Sequence, residues 1–210
     1  MKALILKDLY MAFKYCRMFL VITLCFSLAG MFMKDNLFFV IYPCLMASLI
    51  PNTLLAYDER CKWELYASSM PFTRAQLVSA KYIIGMIFQA SAFLISTIAV
   101  IIRSVFFYHD AFMKIGAYMV GAIAAMLLTI AISLPVMFKF GVEKGRLYYY
   151  LIVVLLGGGT LAAGAVAGNV IERTSINVPP ILLPLALVLP VGLYVLSWYL
   201  SVVFYKKRDF

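Results

Sequence analysis

The sequence predicts an all-α integral membrane protein: six transmembrane helices, an N-terminal interfacial helix, and both termini in the cytoplasm, as one transmembrane domain over residues 1–210. Three observations carry that prediction. The chain is 65% hydrophobic and only 13% charged, a balance that would give a water-soluble globule of this size a largely apolar surface. Of six apolar stretches, five have the length of a bilayer crossing. The basic residues concentrate on one set of alternating segments.

Segment 1–17 places Leu6, Leu9, Phe13 and Cys16 on one helical face and Lys7 and Lys14 on the opposite side. This is the pattern of a basic amphipathic helix at a membrane surface, and equally of a basic leader that holds the first span. Ser27-Leu28-Ala29 before Gly30 loosely fits a signal-peptide cleavage site. The preceding basic region is 17 residues long and contains Asp8, which does not fit, so the segment is kept as the first span.

The spans are predicted at about 18–33, 37–57, 82–102, 115–138, 147–170 and 181–204. The first is short and must borrow from the preceding helix or sit in thinned bilayer. Lys34-Asp35-Asn36 makes the first two a tight hairpin. No alternation of apolar and polar residues suggests a barrel. With the N-terminus inside, the cytoplasmic segments hold 14 of the 18 lysines and arginines, leaving Lys34, Arg103, Lys114 and Arg173 outside. The net charge of +9 is therefore a topology signal and not a nucleic-acid footprint.

Prolines punctuate the spans: Pro43 and Pro51 in the second, Pro135 in the fourth, Pro184 and Pro190 in the sixth. Each removes a backbone hydrogen bond, and Asn52 and Thr53 are placed to satisfy the groups that Pro51 frees. The fifth span carries Gly157, Gly158 and Gly159, then Gly164 and Gly168 four apart. That small-residue ridge suits close helix packing, against another span or a second subunit.

The longest inside segment is 58–81. Trp63, Tyr66, Ala67 and Met70 recur at helical spacing as an apolar stripe. Arg60 and Glu64 are four apart, the spacing of an ion pair. Met70-Pro71 ends that short helix, and Thr73 with Gln76 makes a capping box for the next. The segment reads as a surface helix, a sharp turn and then a span. Two roles fit it: docking of a cytoplasmic partner, or an interfacial connector with its aromatic rings among headgroups.

Catalytic chemistry is not encoded. Cys16, Cys25, Cys44 and Cys61 have no C-x-x-C spacing, and His109 is the one histidine, so no metal or redox centre is expected. Gly157-Gly158-Gly159-Thr160 lacks the lysine of a phosphate loop. Asn52, Thr53, His109 and Asp110 are too few and too dispersed for an active site. The spans have no interior charges, which argues against coupling to an ion gradient.

Glu59, Lys62-Trp63-Glu64-Leu65-Tyr66, Ser69-Met70-Pro71-Phe72-Thr73-Arg74 and Lys81-Tyr82 resemble the segment between spans two and three of type-2 ABC exporter permeases. The small six-span bacterial subgroup, which includes exporters of phenol-soluble modulins and other peptides, is the most similar. Its opening also resembles Leu6-Lys7-Asp8-Leu9. The resemblance implies a permease of the bacterial cytoplasmic membrane that pairs with a second permease, itself or a close relative. It also implies two copies of a separate ABC ATPase subunit, which bind the ATP and magnesium; this chain holds no cofactor. Glu59, Arg60, Lys62, Trp63, Glu64, Tyr66, Pro71 and Arg74 would then form the ATPase contact on a coupling helix. The chain departs from many members in having only 171–180 for a re-entrant hairpin before the last span. A gradient-driven transporter or channel and a membrane scaffold without an ATPase partner are the competing expectations.

Overall fold

A computed structural model describes residues 2–30, 37–69, 71–104, 112–151 and 182–206. Among these residues the chain is helical, with no strand. Helices α1 (Lys2–Tyr15) and α2 (Arg17–Ala29) meet at Cys16 with a 69° bend. They are followed by α3 (Leu37–Ser48), α4 (Ile50–Arg60), α5 (Trp63–Ser68), α6 (Arg74–Arg103) and α7 (Phe112–Phe140). Helical residues 142–151 form α8, and α9 is Leu182–Lys206.

Among the described residues, three helical stretches are individually long and apolar enough to cross a membrane: Arg74–Arg103, Met119–Phe140 and Val188–Lys206. The bent pair α1–α2 makes a fourth if it is counted as one span. The three overlap the predicted stretches 82–102, 115–138 and 181–204. The predicted second span is divided, because Pro51 lies in the first turn of α4 and has no N–H for the preceding turn. Thr53 Oγ1 donates to the Leu49 carbonyl at 3.1 Å, which also accepts the Thr53 N–H, so it does not serve the group that Pro51 frees. Asn52 does not help to satisfy the break; it is buried, and its amide has no hydrogen-bond partner among the described residues. Pro43, Pro135 and Pro190 lie inside continuous helices. The turn at 34–36, the glycines Gly157, Gly158, Gly159, Gly164 and Gly168, and segment 171–180 lie outside the described residues.

Helix α6 is the central element, packing on α1, α2, α3, α4, α7 and α9. It contributes to each of three buried clusters. Val78 and Tyr82 meet Leu55, Ile130, Leu134 and Tyr205; Ile84 and Phe88 meet Ala12, Ile50 and Leu54; Val100 meets Cys44 and Met126. Gly85 makes one approach close, since a Cβ there would stand 2.7 Å from Ile130 Cδ1. Polar contacts inside this apolar body are paired between helices. Gln89 Nε2 donates to Ser48 Oγ at 2.7 Å and to the Met126 carbonyl at 2.6 Å. Ser27 and Ser96 meet at 3.3 Å.

Helix α1 packs on the protein through a row other than its larger apolar residues. Leu4, Asp8 and Ala12 face the protein, while Leu6 (62%) and Phe13 (59%) are exposed. Ala12 is small enough to seat the helix closely, and Asp8 finds basic partners inside. The larger apolar side chains are left to the surroundings. The same holds for Ile98 and Ile101 on α6 and Val188 and Leu196 on α9, all exposed as lipid-facing surfaces require.

Candidate functional site

Within the predicted inside segment 58–81, α4 runs to Arg60 and α6 begins at Arg74, where the capping box placed a helix start. Asp58 and Lys81 thus belong to helices. At the end of α4 the Cys61 N–H donates to the Tyr57 carbonyl at 3.0 Å and the Lys62 N–H to the Glu59 carbonyl at 3.1 Å. Lys62 is left-handed (φ 49°, ψ 36°), a conformation disfavoured by about 1–2 kcal/mol for a side chain with a Cβ. That residue turns the chain so that α5 starts in a new direction.

Helix α5 does not bury one continuous stripe. Ala67 is buried and Trp63 half-buried, while Tyr66 (68%) and Leu65 (53%) project outward. The Tyr66 ring stacks with Trp63 at 6.4 Å between centroids. Met70 and the Glu64 side chain lie outside the description, and with them the expected Arg60–Glu64 pair. Pro71 sits exposed in the turn. The Thr73 capping box forms as its spacing predicts: Thr73 Oγ1 accepts from the Gln76 N–H at 3.3 Å, and Gln76 Oε1 accepts from the Thr73 N–H at 3.1 Å. Arg74 Nη1 donates to the Lys206 carbonyl at 2.8 Å, satisfying the last turn of α9 and tying the two helix ends together.

Glu59 reaches across to α8, where its Oε2 accepts from the Val142 N–H at 2.7 Å. A carboxylate is favoured at that helix start. Gly141, with φ 78°, makes the turn out of α7 that brings Val142 there. Between α4 and this turn lies an open cleft of about 610 Å³, lined by Tyr57, Glu59, Arg60, Glu143, Lys144 and Arg146. Of the predicted contact residues, Glu59 and Arg60 thus face the cleft, Trp63 and Tyr66 belong to α5, and Lys62 and Pro71 form its two turns.

One constellation escaped the sequence reading. Lys7 and Asp8 of α1, Asp58 of α4 and Lys81 of α6 form a closed square of ion pairs. Lys7 Nζ lies 3.1 Å from Asp8 Oδ1 and 2.8 Å from Asp58 Oδ1. Lys81 Nζ lies 2.9 Å from Asp8 Oδ1 and also contacts Asp58 Oδ2. The side chains of Asp8, Asp58 and Lys81 are at most 7% exposed, and that of Lys7 is 25% exposed. Helices α4 and α6 thus hold two buried charges, Asp58 and Lys81, each immediately outside the predicted spans 37–57 and 82–102. Each is tolerated because an opposite charge neutralises it in a site where an isolated ion would be very costly. Lys7 Nζ also sits 4.1 Å from the centroid of the Trp63 ring, joining the square to α5. A usable signal was present: Asp8 is the lone acid among the lysines of the leader.

A helical body with three membrane-length helices, an apolar outer surface and a polar, aromatic end belongs to the polytopic membrane proteins. The chain is a member of the ABC-2 family of transporters: the model described as "ABC-2 family transporter protein" matches residues 3–206. Comparison with curated proteins and with solved structures gives no match. Membership makes the chain a membrane component of a transporter, not itself catalytic, and implies an ATPase partner. Among the described residues no group of acidic, cysteine or histidine side chains could hold a metal.

Proposed function

We propose that this chain is the permease subunit of an ATP-driven exporter in the bacterial cytoplasmic membrane, with six spans and both termini inside. Two such permeases, identical or closely related, form the translocation path, and two copies of a separate ATPase bind ATP and magnesium and drive it. Helix α1 lies at the inner membrane surface, with Leu6 and Phe13 in the lipid. The fifth-span glycines Gly157, Gly158, Gly159, Gly164 and Gly168 pack against another helix or the second permease. The substrate is amphipathic or hydrophobic, a peptide, an antimicrobial or a lipid-like molecule, as suits the mostly apolar spans.

The ATPase docks on α5 and its flanking turns through Glu59, Arg60, Lys62, Trp63, Glu64, Tyr66, Pro71 and Arg74. The family match over residues 3–206 carries this reading. The outward Leu65–Tyr66 pair supports the docking assignment: a six-residue helix that turns aromatic and aliphatic side chains away from its own protein offers an anchor to another. The test is purification in mild detergent from the native host, with mass identification of co-eluting chains. An ATPase in about equal amount, lost on Tyr66→Ala, is the expected result. A chain that elutes alone, under conditions that preserve other ABC complexes, overturns the proposal in favour of a gradient-driven transporter or scaffold.

A further inference from the structure

The buried charge square needs a reason. Apolar side chains of similar volume would hold α1, α4 and α6 together at least as well, since a buried ion pair gains little net stability over them. What four charges provide that apolar residues do not is directionality. Each ammonium is held by two carboxylates at defined distances, so the three helices have one preferred arrangement.

The square also has an open side. Lys7 is its most exposed member, and its ammonium is shared between two carboxylates and the Trp63 ring. Helix α5 packs chiefly on α4. Trp63 connects it to α1, through Lys7. A void of about 20 Å³ lies among Lys7, Asp8, Asp58, Trp63 and Lys81, room for about one water molecule. A displacement of α5 would draw the ring from the ammonium and change how Lys7 divides between Asp8 and Asp58. One carboxylate belongs to α1 and the other to α4, and both are held to α6 by Lys81.

We propose that the Lys7–Asp8–Asp58–Lys81 square, with Lys7 seated on Trp63, is the joint that carries movement of α5 into α1, α4 and α6. Lys7 is its positioning residue. The inference rests on the proposed function, because something must move α5. It adds that α1 receives the movement together with the two helices that flank α5 in sequence. Helix α6 then conveys it along its length: Ser104 lies about 35 Å beyond Lys81 at 1.5 Å per residue.

The test uses the complete permease–ATPase complex in lipid nanodiscs. The exposed thiols Cys25 and Cys61 are replaced, and Ser104→Cys is the reporter; Cys16 and Cys44 are buried. The maleimide labelling rate at position 104 is measured with and without ATP and vanadate, beside ATP hydrolysis. In the parent complex the rate is expected to depend on trapped nucleotide. Lys7→Met is expected to keep the ATPase bound and hydrolysing while shrinking that dependence by roughly three- to thirtyfold, the range of coupling carried by single residues. Lys7→Arg, which keeps the charge and can lie on the ring, is expected to restore it. If Lys7→Met does not fold, Lys7→Met/Asp58→Asn removes one charge of each sign, leaves the Lys81–Asp8 pair balanced, and carries the same expectation. Unchanged nucleotide dependence in the folded variant overturns the inference and leaves the square a fastening only. A parent complex whose labelling ignores nucleotide also overturns it. If the parent chain brings no ATPase, the proposed function itself fails, an outcome distinct from the other two.

Discussion

Helix α6 is fastened to its neighbours in two different ways. On the α9 side the groups are neutral. The Tyr82 hydroxyl meets Ser197 Oγ at 2.7 Å and Ser201 Oγ at 2.8 Å, Tyr194 donates to the Tyr82 carbonyl at 3.1 Å, and Trp198 Nε1 donates to Ser79 Oγ at 3.0 Å. On the side of α1 and α4 the groups are four full charges. The neutral seam is redundant: hydroxyls rotate, and losing one leaves a small polar group with another partner nearby. The charged joint is not redundant, because removing one member leaves a net charge where water scarcely reaches. The two seams hold the same helix, but only the charged one depends on one arrangement.

The largest effect should separate the seams. Asp58→Ala leaves two ammonium groups facing one carboxylate and is expected to cost about 3–5 kcal/mol. Thermal unfolding in bicelles measures it, and a loss no greater than that of a single hydroxyl would erase the distinction. Gly85→Val comes next. It drives a side chain into Ile130 and Pro51 on the packed face of α6, with an expected cost of about 1–3 kcal/mol in the same assay. Tyr82→Phe removes the hydroxyl from the neutral seam and should cost about 1 kcal/mol, in keeping with interhelical hydrogen bonds in membranes. Tyr66→Ala should change stability by less than about 0.5 kcal/mol, since the ring is exposed, while it abolishes ATPase co-purification. Destabilisation by Tyr66→Ala comparable to Tyr82→Phe would make α5 part of the fold rather than an outward anchor.

Much of the molecule was legible residue by residue. The three membrane-length helices follow from apolar runs long enough to cross a bilayer, a property that tertiary context does not alter. The start of α6 was readable at Thr73 and Gln76, because a capping box is a contact between residues three apart. The break beside Pro51 was readable for the same local reason, although the fate of Asn52 was not: its amide is buried without a hydrogen-bond partner among the described residues.

Other features needed the assembled helices. An apolar face on α1 was legible, but the row of that helix that packs on the protein was not, since hydrophobicity alone ranks Leu6 and Phe13 above Asp8 and Ala12. Burial instead followed the i, i+4 row that offered a charge and a small side chain to α6. Asp58 and Lys81 are 23 positions apart and read as the ends of a loop. Nothing local says that the two meet, or that Asp8 and Lys7 arrive from another element to neutralise them. Sequence by itself determined that the chain is helical, that it belongs in a bilayer and where α6 begins, because those depend on composition and on neighbours along the chain. Only the tertiary structure decided which charges are buried and which face of α1 turns inward. A buried charge is stable only beside partners that folding brings to it.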